Sequence, residues 1–117
     1  MNSEFIPLSV PNLCGNELKY VTECITGGWV SSVGTYVDMF EKRFAEYIGC
    51  KHAIAVINGT SALHISLLLN DVKQGDEVLV PNLTFVATIN AVRYCYANPV
   101  FLDACWENFG IDIKKLE

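Results

Sequence analysis

The reading of this chain turns on Ala53-Ile54-Ala55-Val56-Ile57-Asn58-Gly59-Thr60-Ser61-Ala62-Leu63-His64-Ile65-Ser66-Leu67-Leu68-Leu69. The first five residues form an unbroken apolar run, short enough for a strand buried on both faces. Asn58-Gly59-Thr60-Ser61 interrupts it, and Ala62 to Leu69 reads as a helix that is apolar nearly all round. Further on, Gly75-Asp76 marks a turn, and Glu77-Val78-Leu79-Val80 reads as a second strand closed by Pro81. A helix is expected from near Thr84 to Tyr94, and Pro99-Val100-Phe101-Leu102-Asp103 reads as a third strand. Asp112 can cap a last helix beginning at Ile113. Strands alternating with helices predict an α/β fold with a mostly parallel sheet and flanking helices.

The region before Ala53 has a different rhythm. A helix follows Pro11-Asn12 and runs through Glu17 to Ile25, with Leu18, Val21 and Ile25 on one side, and Gly27-Gly28 stops it. An uncharged loop, Gly28-Trp29-Val30-Ser31-Ser32-Val33-Gly34, comes next. Thr35 and Asp38 then have capping-box spacing for a second helix that ends at Gly49. Val37, Phe40, Phe44 and Tyr47 line its apolar side, while Glu41, Lys42, Arg43 and Glu46 are expected on a solvated face. The organisation expected is one incomplete domain over residues 1–117, with helices in 1–50 and the start of an α/β sheet in 51–117. Because residue 117 arrives as another helix begins, an α/β domain cut short is expected.

Composition narrows the function classes. The chain has 117 residues, of which 51% are hydrophobic, and its 13 acidic against 8 basic residues give a formal charge of −5. That is too apolar for a disordered chain and too acidic for a typical nucleic-acid binder. The apolar excess predicts faces covered by more chain or by a second subunit. The longest stretch free of formal charge, Ala53 to Asn70, is interrupted by polar residues, so no membrane span is expected, and the first residues lack the pattern of an export signal. Five cysteines without a C-x-x-C pair, and two histidines far apart, argue against zinc and for reduced, mostly buried thiols in a cytoplasmic protein.

Chemistry is expected at the junction after the first apolar run. Gly59 lets the backbone turn tightly, and Thr60 and Ser61 bring two hydroxyls and two N–H groups to the first turn of a helix. Such a terminus holds a phosphate well. The plainer alternative is that Thr60 or Ser61 simply caps the helix. No lysine follows in P-loop spacing and no G-x-G-x-x-G is present, which argues against ATP hydrolysis and dinucleotide binding. At the second junction Phe85 falls near the same sheet edge, where it can stack on a flat heterocycle or serve as an ordinary core residue with Thr84 as the helix cap. The Trp29-Val30-Ser31-Ser32 loop can close over a ligand, or Trp29 can anchor it to the core. His64, on an apolar helix, reads as a core histidine.

Taken in order, Gly28-Trp29-Val30-Ser31-Ser32, Tyr36-Val37 with Phe40-Glu41, Phe44-Ala45 with Tyr47, Asn58-Gly59-Thr60-Ser61-Ala62-Leu63-His64, Gly75-Asp76-Glu77-Val78, Pro81 with Thr84-Phe85-Val86-Ala87-Thr88 and Pro99-Val100-Phe101 with Asp103 resemble the amino-terminal part of the DegT/StrS-type sugar aminotransferases. The resemblance implies the amino-terminal portion of the large domain of an aspartate-aminotransferase-like fold, usually homodimeric. It also implies pyridoxal 5'-phosphate as cofactor, with a nucleotide-linked keto-sugar and an amino-acid donor, glutamate, as substrates in surface-polysaccharide synthesis. By that likeness Gly59, Thr60 and Ser61 hold the cofactor phosphate, Phe85 stacks on its ring, and Trp29, Val30, Ser31 and Ser32 lie near the sugar. Pyridoxal chemistry also needs a lysine amine and an acid at the ring nitrogen. In the family both lie further along than residue 117, and none of Lys19, Lys42, Lys51, Lys73, Lys114 and Lys115 has the required place. No catalytic residue is therefore expected within these residues, and the chain alone is expected to be inactive. The alternatives are a related dehydratase that uses the aminated cofactor, and a non-catalytic fragment that binds a phosphorylated ligand.

Overall fold

A computed structural model describes residues 5–116, which divide into two compact units, Met1–Ala55 and Val56–Glu117. The first unit carries helices α1 (Glu17–Thr26) and α2 (Thr35–Ile48). Helix α1 stops as its sequence predicts: the Gly27 N–H donates to the Glu23 carbonyl, and Gly28 takes the left-handed φ of +74° that glycine adopts without strain. Helix α2 ends on a left-handed Gly49, whose N–H reaches back to Ala45 and Glu46. The Thr35–Asp38 capping box does not form. The chain enters α2 through Gly34, whose carbonyl accepts from the Val37 and Asp38 N–H groups, so Thr35 is already the first helical residue. Glu41 is not on a wholly solvated face either, since its carboxylate accepts from the Ala55 N–H at 2.7 Å.

The second unit follows the order α3 (Gly59–Leu69), β1 (Glu77–Pro81), α4 (Val86–Tyr94), β2 (Asn98–Leu102), with a short 3₁₀ turn at Ile113–Lys115. Strands β1 and β2 pair in parallel, Glu77 with Asn98 through Pro81 with Leu102, and α4 makes the crossover that parallel pairing requires. The expected strand over Ala53–Ile57 is not found. A strand is defined by a neighbour that takes its N–H and C=O groups, and among the described residues this run pairs with none. The 3₁₀ turn keeps the expected cap, with the Asp112 carboxylate accepting from the Lys114 N–H.

The buried core lies in this second unit, where Val80 of β1 meets Val92, Cys95 and Ala97, flanked by Leu67, Val72, Val78 and Ile89. Burial of Val80 and Val92 removes their apolar surface from water and locks α4 onto the sheet. Many large apolar side chains stay exposed, among them Leu18, Phe40, Ile54, Leu69, Leu79 and Phe101. The cysteines differ from expectation in the same way: Cys95 is buried, Cys24 and Cys105 are half-buried, and Cys14 and Cys50 are exposed. No described helix is long and apolar enough to cross a membrane.

Val92 is 2% exposed, so Val92→Ala, which removes two buried carbons and leaves a small cavity, is expected to cost about 2 kcal/mol by urea denaturation. Val86 begins the same helix but is 60% exposed, and Val86→Ala is expected to stay within about 0.5 kcal/mol of the parent.

Candidate functional site

The start of α3 is built around Asn58. Its extended backbone makes it the N-cap, and its side-chain Oδ1 accepts from the Ser61 N–H at 2.9 Å while its carbonyl accepts from the Ala62 N–H at 3.2 Å. The cap is therefore neither Thr60 nor Ser61. Asn is among the strongest N-cap residues, so Asn58 at the head of an apolar helix was the available signal. Among the described residues the Gly59 and Thr60 N–H groups meet no acceptor, and the Thr60 and Ser61 hydroxyls make no hydrogen bond. A Cβ added at Gly59 would meet nothing within 4 Å, which leaves the approach to these amides open. Two free N–H groups, two free hydroxyls and the positive end of a helix dipole suit an anion with several oxygens.

Phe85 stands one residue before α4 rather than inside its first turn. It is 79% exposed, and it presents a bare ring at the head of α4. Thr84 does not cap the backbone; its hydroxyl pairs with that of Thr88 at 3.0 Å. Helices α3 and α4 meet through the half-buried His64, whose ring lies edge-on to Tyr94 with centroids 5.6 Å apart. Past the carboxyl ends of both strands lies an open cavity of about 510 Å³ lined by Asn82, Leu83, Asp103, Cys105, Trp106 and Lys115 among others. There the Lys115 ammonium, 2.6 Å from Asp103, holds that carboxyl below the usual carboxylate range. Asp103 is thus engaged in an ion pair at the surface.

In the first unit the Trp29–Ser32 loop is only partly committed to a site. Trp29 and Ser31 line a cavity of about 430 Å³ together with Glu23, Cys24, Thr35, Tyr36 and Met39, whereas Val30 and Ser32 are not among its walls. Trp29 is 61% exposed. Its backbone N–H donates to the Cys24 carbonyl at 2.9 Å, and Gly34 lies against the indole. Two residues that sequence reasoning passed over complete the wall. The Tyr36 hydroxyl donates to the Glu23 carboxylate, and that hydrogen bond, helped by the nearby negative charge, pushes the phenol up to about 12. No local pattern marks this pair, because Glu23 and Tyr36 lie on different helices.

The chain matches the DegT/DnrJ/EryC1/StrS aminotransferase family over residues 11–117. It belongs to that family. It is 50% identical to the GDP-perosamine synthase of Caulobacter vibrioides and 46% identical to that of Vibrio cholerae, covering 96% of this chain and 30% of the relative in each case. A Streptococcus pneumoniae protein described as a sugar aminotransferase, solved in its PLP form, superposes with a TM-score of 0.85 at 29% identity, covering 95% of this chain and 28% of that one. The chain therefore spans about 30% of the length of the curated relatives it matches. The family's fold accounts for the α/β order and the parallel β1–β2 pair.

Replacing Asn58 by Ala is expected to destabilise α3 by about 1 kcal/mol, measured by thermal unfolding, with Asn58→Asp retaining most of the stability. Spectrophotometric titration is expected to show one of the five tyrosines ionising near pH 12, and Glu23→Gln to return it toward the ordinary 10.0. Because the folded value is raised, the pair's contribution to stability is complete below pH 10 and disappears as the pH climbs toward 12.

Proposed function

We propose that this chain is the cofactor-phosphate-holding part of a pyridoxal-phosphate-dependent aminotransferase, one that moves an amino group from an amino acid, glutamate, to a nucleotide-linked keto-sugar used in surface polysaccharides. The observation that carries the reading is the start of α3, where Asn58 satisfies Ser61 and leaves the Gly59 and Thr60 N–H groups free. Those two amides, with the Thr60 and Ser61 hydroxyls, would hold the phosphate of the cofactor. The exposed Phe85 ring would lie over the heterocycle and exclude water from its face. Trp29, Val30, Ser31 and Ser32 would orient the sugar. Pyridoxal phosphate, when bound, supplies the electron sink for amino transfer. GDP-perosamine synthases of three organisms, similar to this chain at 42–50% identity, favour a GDP-linked sugar as substrate.

The two compact units are read as parts of one domain of the complete enzyme, which works as a homodimer in the cytoplasm. Exposed apolar residues on both units support contact with further chain or a second subunit, and five free thiols suit a reducing compartment.

Titrating the isotopically labelled chain with pyridoxal phosphate, and separately with inorganic phosphate, tests the anion site. The Gly59, Thr60 and Ser61 amide signals are expected to shift with both ligands, and Thr60→Val to weaken both by about tenfold. Unmoved signals in the folded chain would remove the basis of the reading.

A further inference from the structure

The cavity of the first unit has a chemistry of its own. Its volume of about 430 Å³ falls in the range of small-molecule sites, and its walls come from α1, α2 and the loop that joins them. No lysine or arginine is among its lining residues, and its one ionised group is the Glu23 carboxylate. A phosphate or carboxylate would meet negative charge there without compensation, so the ligand is neutral or cationic. The hydrogen-bonding groups are a carboxylate, the Tyr36 phenol, and the Ser31 and Thr35 hydroxyls, beside an indole that is largely exposed. Of the two Glu23 oxygens, Oε2 accepts from Tyr36 while Oε1 meets no donor among the described residues. A carboxylate with one open oxygen, adjoining hydroxyls and a flat aromatic face match a polyhydroxylated ring, whose O–H groups need acceptors and whose C–H face packs on an indole.

We propose that this cavity is a pyranose subsite in which Glu23 and Tyr36 read the sugar's hydroxyl groups and Trp29 packs on the ring. Glu23 accepts a sugar O–H on Oε1. Tyr36, held as a neutral phenol by the same carboxylate, orients Glu23 and remains available to a second hydroxyl. The Trp29 backbone N–H is bonded to the Cys24 carbonyl, and its ring lies against Gly34. The assignment rests on the sugar-aminotransferase reading and extends it to two residues outside the Trp29–Ser32 loop.

The test is an NMR titration of the full 117-residue chain with D-mannose as a free hexopyranose probe, with inorganic phosphate in a parallel series. The Trp29 indole N–H and the Ser31 and Tyr36 amides are expected to shift with mannose, with a dissociation constant of about 10 mM. They are expected to stay put with phosphate, which moves the Gly59 and Thr60 amides instead. Glu23→Gln is expected to weaken mannose binding by about tenfold and Tyr36→Phe by less, each checked for native helicity. If the parent chain's Trp29 signal ignores mannose at tens of millimolar, the subsite is overturned without need of any variant. A folded Glu23→Gln chain that binds mannose as the parent does would also overturn it. Loss of the mannose response while phosphate still moves Gly59 and Thr60 defeats only the subsite; silence in both series defeats the functional reading as well.

Discussion

A helix starts with N–H groups that nothing inside it can satisfy, and at the head of α3 one side chain decides which of them stay free. Asn58 spends its amide oxygen on Ser61. The two amides before Ser61, with nothing but open space beside Gly59, are left as donors at the positive end of the helix dipole. Had Thr60 or Ser61 provided the cap, its hydroxyl would have been consumed in the turn. The capping residue therefore sets how much hydrogen-bonding capacity the turn offers an anion.

That turn has to be held still to be useful, and the second unit does so with few parts. Parallel pairing of β1 and β2 requires a crossover, and α4 supplies it while burying Val92 and Cys95 against Val80. Helix α3 packs beside α4 through His64 and Tyr94. On the sheet Leu79 and Phe101 stay exposed, as do Leu63, Leu68 and Leu69 on α3, the pattern of surfaces suited to further burial. The first unit uses a different device, a phenol–carboxylate hydrogen bond joining α1 to α2 across the Trp29 loop, and the polar side of its cavity depends on it.

Much was legible from local pattern. The glycine stops at Gly27-Gly28 and Gly49, the Asp112 cap, and the strand–helix–strand order from Glu77 to Leu102 follow from short-range rules that the structure obeys. Where reading failed, a competing local geometry had won. Gly34 opened α2 through its own carbonyl and left Thr35 no capping role, and Phe85 fell one residue outside α4. Ala53–Ile57 has strand composition but no partner among the described residues, and composition cannot furnish a partner.

By itself the sequence determined the turn after Ile57, the glycine stops of α1 and α2 and the order of elements from Glu77 to Leu102, because each depends on residues within a few positions of one another. Only the tertiary structure decided that Asn58 takes the cap, that Phe85 stands just outside α4, and that Glu23 meets Tyr36. Those outcomes depend on which groups compete for one donor and on how two helices approach. Neither is written in the spacing of residues along a single element.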